Sequence, residues 1–296
     1  MKRILLIAII LINFFKLNAQ ECGTDELDAY LKRTNPTYAA ERQKMEQQIY
    51  SILKNKQNNP TERIEQNTCQ PTSGVFTIPI VVHVMHLGEP IGTDGNISDA
   101  QIIDAVRGLN ERWRRVIGDG VDFEIQFALA VRDPNGNTTT GINRINASNL
   151  PKYAANGVSI NNDTIGANQI QVKQLSSWTS DRYINIWVVN NIRGGIAGFA
   201  YPLSAFTLGG IMLDYNSMNY FNTTLAHEMG HVFYLAHTFE GSSSTTCSLN
   251  NDCLLDGDRV CDTPLHKQSE CSITVCSASG DLNNSFKNYM SYCGST

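Results

Sequence analysis

His227-Glu228-Met229-Gly230-His231, with His237 six residues further on, decides how this 296-residue chain is read. The spacing is H-E-x-x-H-x-x-x-x-x-H. On a helix, residues four apart share one face a turn apart. His227 and His231 can then offer two imidazoles to one metal ion, with Glu228 beside them in reach of a water on that ion. A third imidazole from His237, beyond the helix, completes three donors with one open position, the pattern of catalytic zinc. Chance produces H-E-x-x-H in about 1 of 100 such chains at ordinary residue usage, and the added histidine lowers that roughly fifty-fold.

The helix that carries this motif is expected over Thr224 to Leu235. Ahead of it, Ile211 to Asp214 reads as a short strand, and Tyr183 to Val189 as a buried one broken by Gly194-Gly195. Phe123, Ile125, Phe127 and Leu129 alternate with polar or small residues, which predicts a further strand. Asp133-Pro134-Asn135-Gly136 turns the chain. Ser98 with Gln101 three residues on is a capping-box pattern, and Ile102, Val106, Leu109 and Trp113 continue it as an amphipathic helix. Phe76 to Val84 is β-branched and apolar, a buried strand carrying His83. This order of strands and helices predicts a mixed sheet with helices packed on it.

Composition changes before Val75. Residues 54–74 are rich in Asn, Gln, Thr and Lys and read as an exposed linker, with Lys56 and Arg63 as candidate cleavage points. Residues 24–57 read as polar helix, with Pro36 at a helix start. Residues 1–19 have a basic start, an apolar run from Ile4 to Phe15 and a small-residue end at Ala19, the pattern of a secretory signal peptide. The apolar run is shorter than the roughly 20 residues a membrane span needs. Net charge is -5, a mild acidic excess that points to neither nucleic acid nor anionic lipid as a partner. In an exported chain the eight cysteines are expected to be mostly disulfides. Six of them, Cys247, Cys253, Cys261, Cys271, Cys276 and Cys293, crowd the last fifty residues and allow 15 pairings.

Zinc held by three neutral imidazoles keeps its double charge and lowers a bound water's pKa to about 7. Glu228 is placed to take the water's proton and return it to a leaving amine. Together these parts describe peptide-bond hydrolysis.

At these residues the chain resembles the metzincins, and specifically their pappalysin-like (cytophagalysin) group of secreted metalloproteases. His227, Glu228, His231 and His237 match the metzincin pattern H-E-x-x-H-x-x-G-x-x-H. Met290, in Asn288-Tyr289-Met290-Ser291-Tyr292, matches the Met-turn beneath the metal. Ile78 to Val84, Arg182 to Val189, His237-Thr238-Phe239 and Asp258 to Pro264 resemble further blocks of the group, so the likeness covers nearly everything after Val75. It implies an α+β catalytic domain over 73–296, truncated at its C-terminal end relative to the group. That domain has a twisted, mostly parallel five-stranded sheet, two long helices, zinc at the base of a cleft and a Cys-rich C-terminal subdomain. A small helical propeptide over 20–72 precedes it.

The resemblance also implies roles. Tyr292 is placed to stabilise an oxyanion. Cys22 is a zymogen-switch ligand to the zinc; on its residues alone, a Cys22–Cys69 disulfide stays open. Asp258, Asp262 and Thr263 are implied as calcium ligands, where the four acids Asp252, Asp256, Asp258 and Asp262 by themselves read as a solvated loop. Substrate is expected to pair with an edge strand near Gly195–Tyr201. The chain departs from the pattern at Tyr234, where the family has a glycine that lets the helix end sharply. His83 and His86 read as strand residues, His83 in the core, and His266 is given no role. The expectation is a monomeric, secreted zinc endopeptidase acting on protein or peptide substrates, with no nucleic-acid or membrane partner. The alternative is a catalytically inactive binding module on the same scaffold.

Overall fold

The N-terminal helical stretch divides at Asn35, giving α1 (Thr24–Thr34) and α2 (Pro36–Asn58). Asn35 caps α2 by accepting the Tyr38 N–H at 3.1 Å, and Pro36 takes the first helical position, where its missing N–H costs nothing. α2 runs five residues into the stretch expected as linker, because nothing breaks it until Pro60. The computed structural model describes residues 22–59, 74–118, 120–161, 163–202, 209–249, 251–268, 276 and 287–292. The expected signal peptide and most of the linker lie outside these.

The rest follows in the order β1 (Phe76–His86), α3 (Asp99–Trp113), β2 (Ile125–Leu129), β3 (Ile142–Asn146), α4 (Tyr153–Asn156), β4 (Val158–Ser159), β5 (Ala167–Asn168), α5 (Gln169–Gln174), β6 (Ile184–Val189), β7 (Gly198–Tyr201), β8 (Gly210–Asp214) and α6 (Thr224–Val232). The main sheet runs β2-β1-β6-β8-β7, with β3 also paired to β1. All its pairings are parallel except β7 against β8. The sheet therefore has six strands rather than the five expected. β1 is long enough to pair with β2 through Phe76–Ile80 and with β3 through Val82–His86.

Alternation along the strands splits the core in two. Ile80, Val82 and Val84, Ile184, Ile186 and Val188, and Ile211 and Leu213 face α3 and α6. Met85, Trp187, Val189, Met212, Phe199 and Tyr201 face the other side, where they meet Leu27, Leu31 and Tyr38 of the N-terminal helices together with Tyr153 and Val172. Burial on both faces explains why β1 and β6 are almost unbroken in apolar residues. Phe123 lies outside β2 and is exposed, its ring against Trp113.

α3 begins as expected, with the Ser98 hydroxyl accepting the Gln101 N–H at 3.1 Å. The reciprocal half of the capping box is absent: the Gln101 amide donates to the Met218 carbonyl at 2.9 Å and ties α3 to the segment before α6. α6 is shorter than expected, ending at Val232, so α3 is the one long helix after β1 among the described residues.

Candidate metal centre

α6 packs on β7, β8 and α3, and all nine of its residues are buried. That places His227, Glu228 and His231 inside the protein. Beyond Val232 the chain reverses in a Schellman turn. The Leu235 N–H donates to the Gly230 carbonyl at 3.0 Å and the Tyr234 N–H to the His231 carbonyl at 3.0 Å. The residue in the left-handed position of this motif is Tyr234, with φ of 71°. The departure from the family glycine is thus absorbed as backbone strain, and the turn geometry is kept. His237 comes back onto the metal site as the pattern requires.

The three Nε2 atoms lie 3.1 Å (His231–His227), 3.1 Å (His231–His237) and 3.2 Å (His237–His227) apart. On the other side of each ring, Nδ1 meets an acceptor. His227 Nδ1 is 2.6 Å from the Tyr289 carbonyl, His231 Nδ1 2.8 Å from the Leu235 carbonyl, and His237 Nδ1 2.8 Å from Asp25 Oδ2. A carbonyl or carboxylate can only accept, so each Nδ1 carries the proton and each Nε2 presents a lone pair. Three lone pairs then converge with no proton between them. That is repulsive unless a cation sits among them. Tetrahedral coordination with zinc–nitrogen bonds of about 2.0–2.1 Å would set nitrogens about 3.3–3.4 Å apart, close to what is found. Burial holds His227 near a pKa of about 3 and His231 far below its ordinary value, with the His237 imidazole adding to both, so these two rings stay neutral.

Cys22 lies beside the three imidazoles. Its Sγ belongs with the three imidazoles in a donor group whose atoms all lie within 4.8 Å of one another. The thiol is free, so the disulfide alternative is not the arrangement seen; Cys69 lies outside the described residues. The N-terminal strand leading into α1 is pinned residue by residue. Cys22 bridges to Gly198 in parallel, and the Gly23 N–H donates to the Gly198 carbonyl at 2.9 Å. A Cβ at Gly23 would press on the end of the Ile160 side chain. Thr24 Oγ1 accepts the Ala200 N–H at 2.9 Å and donates to Glu228 Oε2 at 3.1 Å. Asp25 then meets His237. The fully buried Glu228 has its pKa raised to about 8, chiefly by burial, and its Oε1 has no hydrogen-bond partner among the described residues. Burial, and then the Glu228 charge, also raise the Cys22 thiol. A bound dication would act against both shifts.

Met290 is buried beneath α6, with its sulfur against Gly230. Its carbonyl accepts the Thr238 N–H at 3.2 Å, and the preceding Tyr289 carbonyl orients His227. The Tyr292 hydroxyl donates to the Cys22 carbonyl at 3.3 Å, and its ring lies 4.9 Å from that of His237. Of the other candidates, His83 is a core residue stacked on Trp187 and bonded to Asn185. His266 is bonded to the Thr238 hydroxyl. Asp258 accepts the Val260 N–H, and burial raises its pKa to about 6 against the Thr263 hydrogen bond. Asp258 and Asp262 fall in neither of the two donor clusters found among the described residues. Two disulfides, Cys247–Cys276 and Cys253–Cys261, brace this segment; Cys271 and Cys293 lie outside the described residues. Thr24 and Asp25 were not legible as site residues, since nothing local marks them and their partners stand more than 200 positions away.

Known proteins are similar to this chain. The model of the pregnancy-associated plasma protein-A peptidase family matches residues 166–296. An extracellular metalloprotease of Arthroderma otae is 30% identical over 128 residues, covering 37% of this chain and 42% of the relative. One from Pyricularia oryzae is 26% identical over 215 residues, covering 69% and 62%. The chain thus spans less than two thirds of either relative's length. Among solved structures, mature mirolysin of Tannerella forsythia with a cleaved peptide is similar at 28% identity and a TM-score of 0.52, covering 74% of this chain and 84% of that one. A variant of promirolysin from the same organism is similar at 25% identity and a TM-score of 0.60, covering 92% and 87%. The family match takes in both helical histidines, the returning third one and the Met-turn, and the likeness to mirolysin extends ahead of it through the sheet. The chain is similar to the pappalysin-like group of metzincins, with the family match over residues 166–296.

Proposed function

We propose that this chain is a secreted, zinc-dependent endopeptidase made as a zymogen, with residues 20–72 as its inhibitory propeptide and 73–296 as the catalytic domain. The observation that carries it is the convergence of three proton-free Nε2 atoms from His227, His231 and His237 beside a buried carboxylate. Borderline-soft zinc suits a donor set of three imidazoles and a thiolate. When bound, the metal supplies Lewis-acid activation of water and of the scissile carbonyl. Glu228 takes the water's proton and delivers it to the leaving amine, and its unpartnered Oε1 is the free acceptor for that role.

In the zymogen, Cys22 takes the open position and Thr24 holds the other oxygen of Glu228. Removing the segment frees the Ala200 N–H and the Gly198 carbonyl of the edge strand β7 for a substrate backbone, and frees the Tyr292 hydroxyl to face the oxyanion. The larger share of this chain covered by promirolysin than by mature mirolysin supports the zymogen reading. The signal-peptide pattern and the extracellular relatives support secretion. Glu228→Gln in the processed protein tests the reading. Stoichiometric zinc with casein cleavage reduced by at least ~100-fold is expected. Undiminished cleavage excludes Glu228 as the base, and absence of zinc from the parent excludes the metal.

A further inference from the structure

Tyr234 fills a left-handed position that glycine occupies freely and a ring-bearing residue does not. The ring has one conspicuous use. The Arg42 guanidinium, from the middle of α2, lies over its face, 4.7 Å from the ring centroid. Arg42 is aimed there by its own neighbours: Nε is 2.9 Å from Asp28 of α1, and Nη2 is 3.7 Å from Glu46 one turn along. The Tyr38 hydroxyl donates to the same Asp28 oxygen at 2.6 Å. The two N-terminal helices are therefore joined through Asp28 and Arg42, and both reach the turn that sends His237 back to the site.

We infer that Tyr234 is the seat for the propeptide, a cation–π platform for Arg42 that keeps Cys22 docked at the metal centre; this rests on the zymogen reading above. α1 spans only 11 residues, too few to be a stable helix alone, so it depends on α2 as a brace. Beyond Tyr38 at its first turn, buried edge-on to Tyr201 with ring centroids 6.5 Å apart, α2 touches the catalytic part in few places. Lys54 with Asp252 and Arg259 with Glu46 are partly exposed ion pairs at 4.0 and 3.7 Å, a weak class of contact. Tyr50 adds one hydrogen bond to Asp252 at 3.3 Å. The Arg42 side chain is only 13% exposed, and a cation over a ring gains strength as water is excluded. The seat lies on the residue that departs from the family pattern.

The test uses the full, unprocessed chain and reads alkylation of Cys22 by iodoacetamide, located by peptide mapping, with zinc content measured in parallel. Tyr234→Gly suits the turn better than tyrosine does, so unfolding is not a rival explanation. It is expected to speed Cys22 labelling roughly 5- to 30-fold with zinc content unchanged, the factor a desolvated cation–π contact carries. Arg42→Gln should give the same acceleration, the double variant little more than either, and Tyr234→Phe the parent rate. Parental labelling in both Tyr234→Gly and Arg42→Gln, fast labelling in Tyr234→Phe, or acceleration only where zinc is lost would each overturn the seat. A parent without zinc would instead sink the metal reading, while the ratio of labelling rates still judges the seat.

Discussion

The Met290 sulfur is packed directly on the Cα of Gly230, so closely that a Cβ at that position would overlap it. Gly230 sits between the helical ligands His227 and His231, and Met290 follows the residue whose carbonyl orients His227. The helix and the turn beneath it are thus in contact at the one point where the helix has no side chain. This is a packing reason for glycine inside an otherwise well-formed helix, where it costs about 1 kcal/mol relative to alanine.

Gly230→Ala should therefore destabilise rather than stabilise. Met290 is buried and has little room to yield, so overpacking of about 1–3 kcal/mol is expected, outweighing the gain in helix propensity. For a domain of this size that corresponds to a melting temperature lower by about 3–10 °C. Zinc affinity should fall with it, because the displaced turn carries the His227 partner. A melting temperature equal to or above the parent's would show that the Met-turn does not bear on α6.

Thr24 joins the N-terminal segment to the carboxylate of Glu228 and to the edge strand through one hydroxyl. Thr24→Val keeps the shape and removes both hydrogen bonds. The Ala200 N–H and Glu228 Oε2 are then left buried without that partner, at about 1–3 kcal/mol each. The full chain should leak: cleavage of a short quenched peptide by unprocessed protein is expected to rise at least ~10-fold, with Thr24→Ser close to the parent. An unchanged background in Thr24→Val would mean that Cys22 alone maintains latency.

Much of this was open to inspection in the sequence. The approach of His227 to His231 follows from helical spacing, and β1 and β6 from unbroken apolar runs buried on two faces. β3 was not visible, because Ile142-Asn143-Arg144-Ile145-Asn146 carries too little apolar character to stand apart from a loop. β7 is four residues long, too short for any period to show, and only the family likeness pointed near it. Tyr234 reads in the sequence only as a departure from the family's glycine. Its compensation lies in Arg42, almost 200 residues away, and no local pattern records such a contact.

His83 offers a prediction that does not depend on the metal. Its ring is buried, stacked on Trp187 with centroids 5.3 Å apart and edge-on to Trp178, with Nε2 2.9 Å from Asn185 Oδ1 and Nδ1 3.3 Å from the Asn143 amide. Burial lowers its pKa to about 4, against the Asn185 hydrogen bond. The unfolded chain has the ordinary value near 6.5. Because the folded value is depressed, the folded state binds fewer protons between the two values. The stability this group contributes is complete above about pH 6.5 and is lost as pH falls towards 4, a change on the order of 3 kcal/mol. His83→Gln removes the titrating group. The other buried histidines titrate in both proteins and cancel in the difference, so the variant should lose less stability than the parent between pH 7 and pH 4 by that amount. Urea midpoints at pH 7.0, 5.5 and 4.5 measure it; curves for parent and variant that stay parallel down to about pH 4 would show that the folded protein accommodates a charged His83.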